Sequence, residues 1–246
     1  ELGALKGLAF SLFYTTMAIP LAVVGDRWNR VKLIAIAVSF WSVLTAACGL
    51  AQNFVQLFIA RSGVGMGEAA GNPASHALLA DYFRSGERAR ALGIYQLGVP
   101  IGTVVSFVAG SWILDHLGWR LAFMVVGLPG LLLALIVLFT VREIPRGAAD
   151  EGGQISTSQS PPWHRQALDL LNIPSFRTLM IVGGLQAFGG YAMMMWLVDL
   201  SVRLHNLSIQ ESAVHGAIVL GLGGGLGTAF GGFVADHYGK RHPGKY

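Results

Sequence analysis

The sequence predicts an all-α integral membrane protein, and three observations carry that prediction. Only 12% of its 246 residues are charged, while 53% are hydrophobic and 33 are glycine, too little polar matter to cover a water-soluble domain of this length. Apolar runs of about 20 residues, enough to cross a hydrocarbon core about 30 Å thick, recur along the whole chain. Most basic residues fall in the breaks after alternate runs, the asymmetry that orients a multi-pass protein.

The runs number seven, at approximately 3–24, 32–51, 54–80, 91–114, 120–141, 176–202 and 212–235, and each reads as a transmembrane helix. A membrane barrel would need short alternating segments instead. The first run lacks a preceding basic region, so it is expected to stay as a span and not to be cleaved as a signal. Arg27, Arg30, Lys32, Arg84, Arg88, Arg90, Arg142, Arg146, Arg165, Arg177, Lys240, Arg241 and Lys245 follow the first, third, fifth or seventh run, whereas the opposite loops hold only Arg120 and Arg203. The excess of cations places the former loops in the cytoplasm. Trp28, Trp112, Trp119 and Trp163 lie near run boundaries, as interfacial aromatics do. The single cysteine, Cys48, allows no internal disulfide. The basic residues are spread over separate loops and form no single patch, so nucleic acid is not expected as a partner.

Two stretches share one design. "GDRWNRVK", Gly25 to Lys32, and "GGFVADHYGKRH", Gly231 to His242, each end a charge-free run in an acid followed by a basic cluster. They follow the first and seventh runs, so the repeat unit is six helices on one side of the membrane. Parallel repeats of this kind build a class of secondary transporters. Between the halves, "RGAADEGGQISTSQSPP" is a flexible polar linker. "WHRQALDLLN", Trp163 to Asn172, suits a short amphipathic helix on the membrane surface. The expected organisation is a first half-bundle over 1–143, a cytoplasmic linker over 144–173 and the start of a second half-bundle over 174–246.

Gly25 to Lys32, with Ala22 before it, resembles the loop signature of the major facilitator superfamily, and Gly232, Asp236, Gly239, Lys240 and Arg241 match that signature more fully. "RSGVGMGEAAG" (Arg61 to Gly71), "DYFRSGERARALG" (Asp81 to Gly93) and "VREIPRG" (Val141 to Gly147) resemble further pieces of the same family in the same order. The combination is most similar to the spinster-like branch, whose animal members carry sphingosine phosphate and lysolipids. Two positions depart from the general pattern: Asn29 replaces a glycine of the loop signature, and Val99 stands before Pro100 where antiporter members often have glycine.

The resemblance implies a major facilitator-type helical bundle in which these seven spans correspond to helices 2–8 of a twelve-helix fold, the chain being a fragment. It implies a transporter and not an enzyme, working by alternating access in a bacterial inner membrane as a monomer among membrane lipids, with a proton gradient in place of any cofactor. The implied substrate is an amphipathic, lipid-like molecule or an organic anion. A sugar-acid or organic-acid transporter of another branch is the alternative. A seven-helix receptor or sensor is the reading from a different class; the six-helix repeat opposes it, as does the lack of a lysine in the last run for a retinal Schiff base.

Charged groups at membrane depth are candidates for function by default. The third run holds Arg61 and Glu68, seven residues and roughly 10 Å apart along one helix face. Asn72, Ser75 and the neighbouring His76 continue that polar stripe. Glu68 is expected to take up and release the coupling proton, because desolvation favours its neutral form while Arg61 favours the charged one. Arg61 is expected to attract an anionic head group, with Tyr95, Gln96, Gln186 and Tyr191 adding polar contacts. Asp26, Arg27 and Arg30 are expected to form a cytoplasmic latch with Asp81, Glu87, Arg88 and Arg90, with Asp236, Lys240 and Arg241 as the counterpart in the second half. No histidine or cysteine spacing suits a metal. The glycines of "GVGMGEAAG" and "GLGGGLG" sit within apolar helices and read as packing surfaces and not as a nucleotide loop.

Overall fold

The computed structural model describes residues 3, 7, 9–149 and 163–231. Asp236, Lys240 and Arg241 lie outside the described residues. Among the described residues every regular element is helical: α1 (Ala9–Arg27), α2 (Arg30–Cys48), α3 (Phe54–Tyr82), α4 (Ser85–Gln96), α5 (Gly98–Thr140), α6 (Trp163–Leu171), α7 (Pro174–His205) and α8 (Ile209–Gly216), the last running into a π-helical stretch, Ala217–Gly223.

Five stretches are long and apolar enough to cross a membrane: Ala9–Arg27, Arg30–Cys48, Gly86–Thr140, Pro174–His205 and Ile209–Gly231. The third of them, 55 residues long, holds two of the expected spans. A straight helix of that length would reach roughly 80 Å, far more than a bilayer needs. It is broken at Gly118, whose φ of 76° and ψ of 166° are open to glycine at little cost. The break falls between the expected spans 91–114 and 120–141. The expected span 54–80 is one helix of 29 residues, but its polar stripe keeps it out of the apolar five.

Helix starts follow local chemistry. Asn29, in extended conformation, accepts the Lys32 N–H at 2.8 Å and so caps α2. The cap accounts for an asparagine in a loop signature that otherwise has glycine. Asn53 caps α3 by accepting the Gln56 N–H at 2.9 Å, and Ser208 with Glu211 forms a capping box at α8.

Two compact units are present. The first comprises residues 1–92 and 116–177, as far as they are described. In it α3 lies along both α1 and α2, around a core of Leu33, Ala37, Ala70 and Ala74 backed by Leu21, Ile34 and Trp41. Small residues make this close approach possible. A Cβ on Gly67 would lie 3.0 Å from Phe40 and Trp41 atoms, and one on Gly71 3.2 Å from the Trp41 ring. On Gly65 it would sit 2.5 Å from the Phe10 carbonyl oxygen of α1. The second half of α5 meets α2 in the same way, since a Cβ on Gly127 would be 2.6 Å from the Ala46 nitrogen.

The second unit comprises residues 93–115 and 178–246, as far as they are described. There the first half of α5 packs on α8 and the π-helical stretch. Gly216 faces Phe107, Gly221 faces Val104 and Gly225 faces Pro100. Gln210 donates from Nε2 to Asp115 Oδ2 at 2.7 Å at one end of this contact.

Candidate functional site

The polar stripe lies on α3, the central helix of the first unit. Arg61, Glu68, Ser75 and His76 are half-buried, whereas Asn72 is exposed. Phe10 of α1 provides an aromatic face for Arg61, whose guanidinium carbon is 5.9 Å from the ring centroid, at the outer limit of a cation–π contact. One turn beyond Glu68, Pro73 interrupts α3 and withholds the N–H that would have bonded the Ala69 carbonyl. The helix is therefore locally less constrained beside its acid. Pro73 was open to view in the sequence as a proline within an apolar run.

A second cluster joins the C-terminal ends of α1 and α3 to the start of α2, and it is the most extensive polar network among the described residues. Its centre is Arg30, the first residue of α2, whose side chain is only 2% exposed. An arginine there is opposed by the positive end of the helix dipole and must be compensated. From Nε it donates to Glu143 Oε1 at 2.8 Å, from Nη2 to the Ile144 carbonyl at 2.7 Å, and from Nη1 to Asp81 Oδ2 and the Ala77 carbonyl. Glu143 Oε2 accepts the Val31 N–H at 3.0 Å, and so serves α2 as an anionic cap while pairing with its first side chain. Partial burial pushes the Glu143 carboxyl up; the Val31 N–H, the Arg30 hydrogen bond and the Arg30 charge outweigh it and hold the group below its ordinary range.

The segment after α5 acts as a strap across this end. Gly147 N–H donates to Asp81 Oδ1 at 2.9 Å, and Arg146 Nη2 donates to the Gly25 and Trp28 carbonyls, both at 2.9 Å. Tyr82 Oη donates to the Arg142 carbonyl at 2.6 Å. Arg88 donates from Nε to the Ala80 and Phe83 carbonyls at 2.7 and 3.0 Å, closing the C-terminus of α3.

Of the residues expected in a latch, the structure brings Arg30 and Asp81 into one network and sets Arg88 at the end of the same helix. Asp26, Arg27, Glu87 and Arg90 are exposed and stand outside it. Glu143, Arg146, Gly147 and Tyr82, which the sequence placed in family-like stretches without a latch role, join it. The available signal was an acid flanked by arginines directly after the fifth run, with Pro145 holding the preceding residue extended. Tyr95 and Gln96 at the end of α4, and Gln186 and Tyr191 on α7, belong to the second unit and are exposed.

Comparison with known proteins follows the same lines. The family model of the Major Facilitator Superfamily matches residues 2–245. An MFS-type efflux pump of Mycolicibacterium smegmatis is 30% identical over 98% of this chain and 55% of its own length. A probable L-galactonate transporter of Escherichia coli is 29% identical over 96% of this chain and 53% of its own. Among solved structures, a bacterial homolog of the human lysosomal transporter Spinster, inward-facing and unoccupied, superposes with a TM-score of 0.79 at 34% identity, covering 98% of this chain and 56% of that one. The chain thus spans about half the length of these relatives. The loop signatures, the helical architecture and the match over almost every residue agree: this chain is a multi-pass membrane protein that belongs to the Major Facilitator Superfamily, with spinster homologues among its relatives.

Proposed function

We propose that this chain serves in a proton-coupled secondary transporter that moves an amphipathic, lipid-like or organic anion by alternating access. Its seven expected spans then correspond to helices 2–8 of a twelve-helix fold, with residues 1–143 in the first half-bundle, 144–173 as linker and 174–246 opening the second. The setting is a bacterial inner membrane, the working form a monomer, and the energy source a proton gradient with no further cofactor.

The observation that carries this reading is Glu68. It is a half-buried acid on the central helix of its unit, with Arg61 about two turns away on the same helix and Pro73 loosening the next turn. In alternating access, exposure of this acid to water stabilises the carboxylate, and its enclosure favours the neutral acid. Arg61 attracts the anionic head group of the substrate; Asn72, Ser75, Tyr95, Gln96, Gln186 and Tyr191 supply polar contacts. The Arg30–Asp81–Glu143 network is the inner latch, which Asp26, Arg27, Glu87, Arg88 and Arg90 complete when Asp236, Lys240 and Arg241 of the second half come into play. A sugar-acid substrate is the second reading, favoured by the resemblance to the probable L-galactonate transporter.

The test is uptake into proteoliposomes under an imposed pH gradient, with a lysolipid and L-galactonate offered in parallel. Glu68→Gln mimics the protonated acid, so the variant folds and loses at least about a hundredfold of gradient-driven uptake, the lower end of the range over which a positioned acid acts. Uptake at the parent rate removes Glu68 from the mechanism. Arg61→Ala weakens binding of the transported anion; unchanged binding removes its head-group role.

A further inference from the structure

An apolar groove of about 190 Å³ runs between α1 and α2, with α3 as its floor. Met17 and Leu21 form one wall, Ile36 and Phe40 the other, and the small residues Gly67 and Ala70 leave the space between them. Ile36 and Phe40 are 54% and 47% exposed, so the groove opens outward from the three-helix core. At its inner end α1 and α2 converge, where a Cβ on Gly25 would lie 3.4 Å from Leu33 Cδ2.

The charges at that end are unbalanced. Lys32 precedes Ile36 and Phe40 by one and two turns on the same exposed face of α2. Arg27 is exposed at the end of α1, and Arg146 is held against the turn through the Gly25 and Trp28 carbonyls. Arg30 contributes no free charge, being buried between Asp81 and Glu143. Asp26 is the exposed acid of the turn, set against the exposed cations Arg27, Lys32 and Arg146. Trp28, 46% exposed, adds the amphipathic ring that favours the head-group level.

We propose that this groove is a binding site for an anionic phospholipid of the inner leaflet, with an acyl chain between α1 and α2 and the phosphate held by Lys32 and Arg27. The occupant follows from the two halves of the site together. An apolar slot at hydrocarbon depth suits an acyl chain, and a net positive turn at its inner mouth suits a head group of net negative charge. The site lies within the first unit and does not depend on what is transported.

The experiment is native mass spectrometry of the full chain in detergent, titrated separately with dioleoyl phosphatidylglycerol and dioleoyl phosphatidylcholine. Phosphatidylglycerol binds about thirtyfold more tightly, two cations each conferring about fivefold near an anionic head group. Arg27→Gln with Lys32→Gln brings the two lipids to the same affinity, and Ile36→Trp fills the slot and weakens both. These positions are exposed, so the variants keep the parent's thermal stability; if the tryptophan does not fold, Ile36→Ser gives the same reading by removing apolar wall. Equal affinity of the parent for both lipids overturns the proposal. So does a phosphatidylglycerol preference that survives in the double glutamine variant, or lipid binding that neither Ile36 variant changes.

Discussion

Glu143 carries two duties with one carboxylate, neutralising Arg30 and capping α2 through the Val31 N–H. Because its folded value lies below the ordinary 4.5, its stabilisation is complete above that value and is lost as pH falls through the folded one. Thermal unfolding of parent and Glu143→Gln in detergent should differ by about 1 kcal/mol at neutral pH, a modest figure for a group still partly in water. The difference should shrink as the pH drops below 4.5, and a constant gap down to pH 3 would deny the carboxylate its role. Asp81 is more enclosed, with 13% of its side chain exposed. Asp81→Asn keeps the shape and removes the charge, and should cost about 2 kcal/mol because Arg30 remains buried beside it. The same melting experiment checks this.

Among helices, glycine spacing decides which surfaces meet. Gly65→Ala would drive a methyl to 2.5 Å from the Phe10 carbonyl oxygen, a backbone atom that cannot rotate away, and should cost about 1–3 kcal/mol as overpacking does. Gly110→Ala meets nothing within 4 Å and should be neutral or stabilising by up to about 1 kcal/mol through helix propensity. Melting temperatures of the pair test the contrast; equal effects would mean that α1 and α3 are not in close register. The repeated glycines of α3 marked a packing surface in the sequence. The sequence did not say that Gly65 would serve α1 while Gly63, Gly67 and Gly71 serve α2, because that depends on the rotation of each helix about its axis.

For the whole molecule, the proposed latch divides into charges already engaged within the first unit and charges still exposed on it. Asp81 is already engaged with Arg30 and Gly147, whereas Asp26 is exposed and is proposed to act when the second half closes. Cys48 is buried, so a cysteine introduced at Arg84 reports inner-side accessibility over little background. Asp26→Asn should change its labelling rate severalfold without lowering the melting temperature, while Asp81→Asn changes both. A rate unaltered in Asp26→Asn removes that residue from the latch.

Composition and periodicity were enough to determine a helical, multi-pass membrane protein, because water and hydrocarbon select residues one at a time. They also marked Arg61 and Glu68, whose cost in hydrocarbon is visible wherever they fall. The tertiary structure alone decided that Glu143 joins Asp81 as a partner of Arg30. Glu143 lies 113 residues away in sequence, and no local period links a helix start to a strap beyond α5. It also decided that Asn29 caps a helix and that α1 and α2 part over α3 to leave a groove. Contacts of that kind follow from how helices turn and cross, and sequence spacing records the face of a helix without recording what it meets.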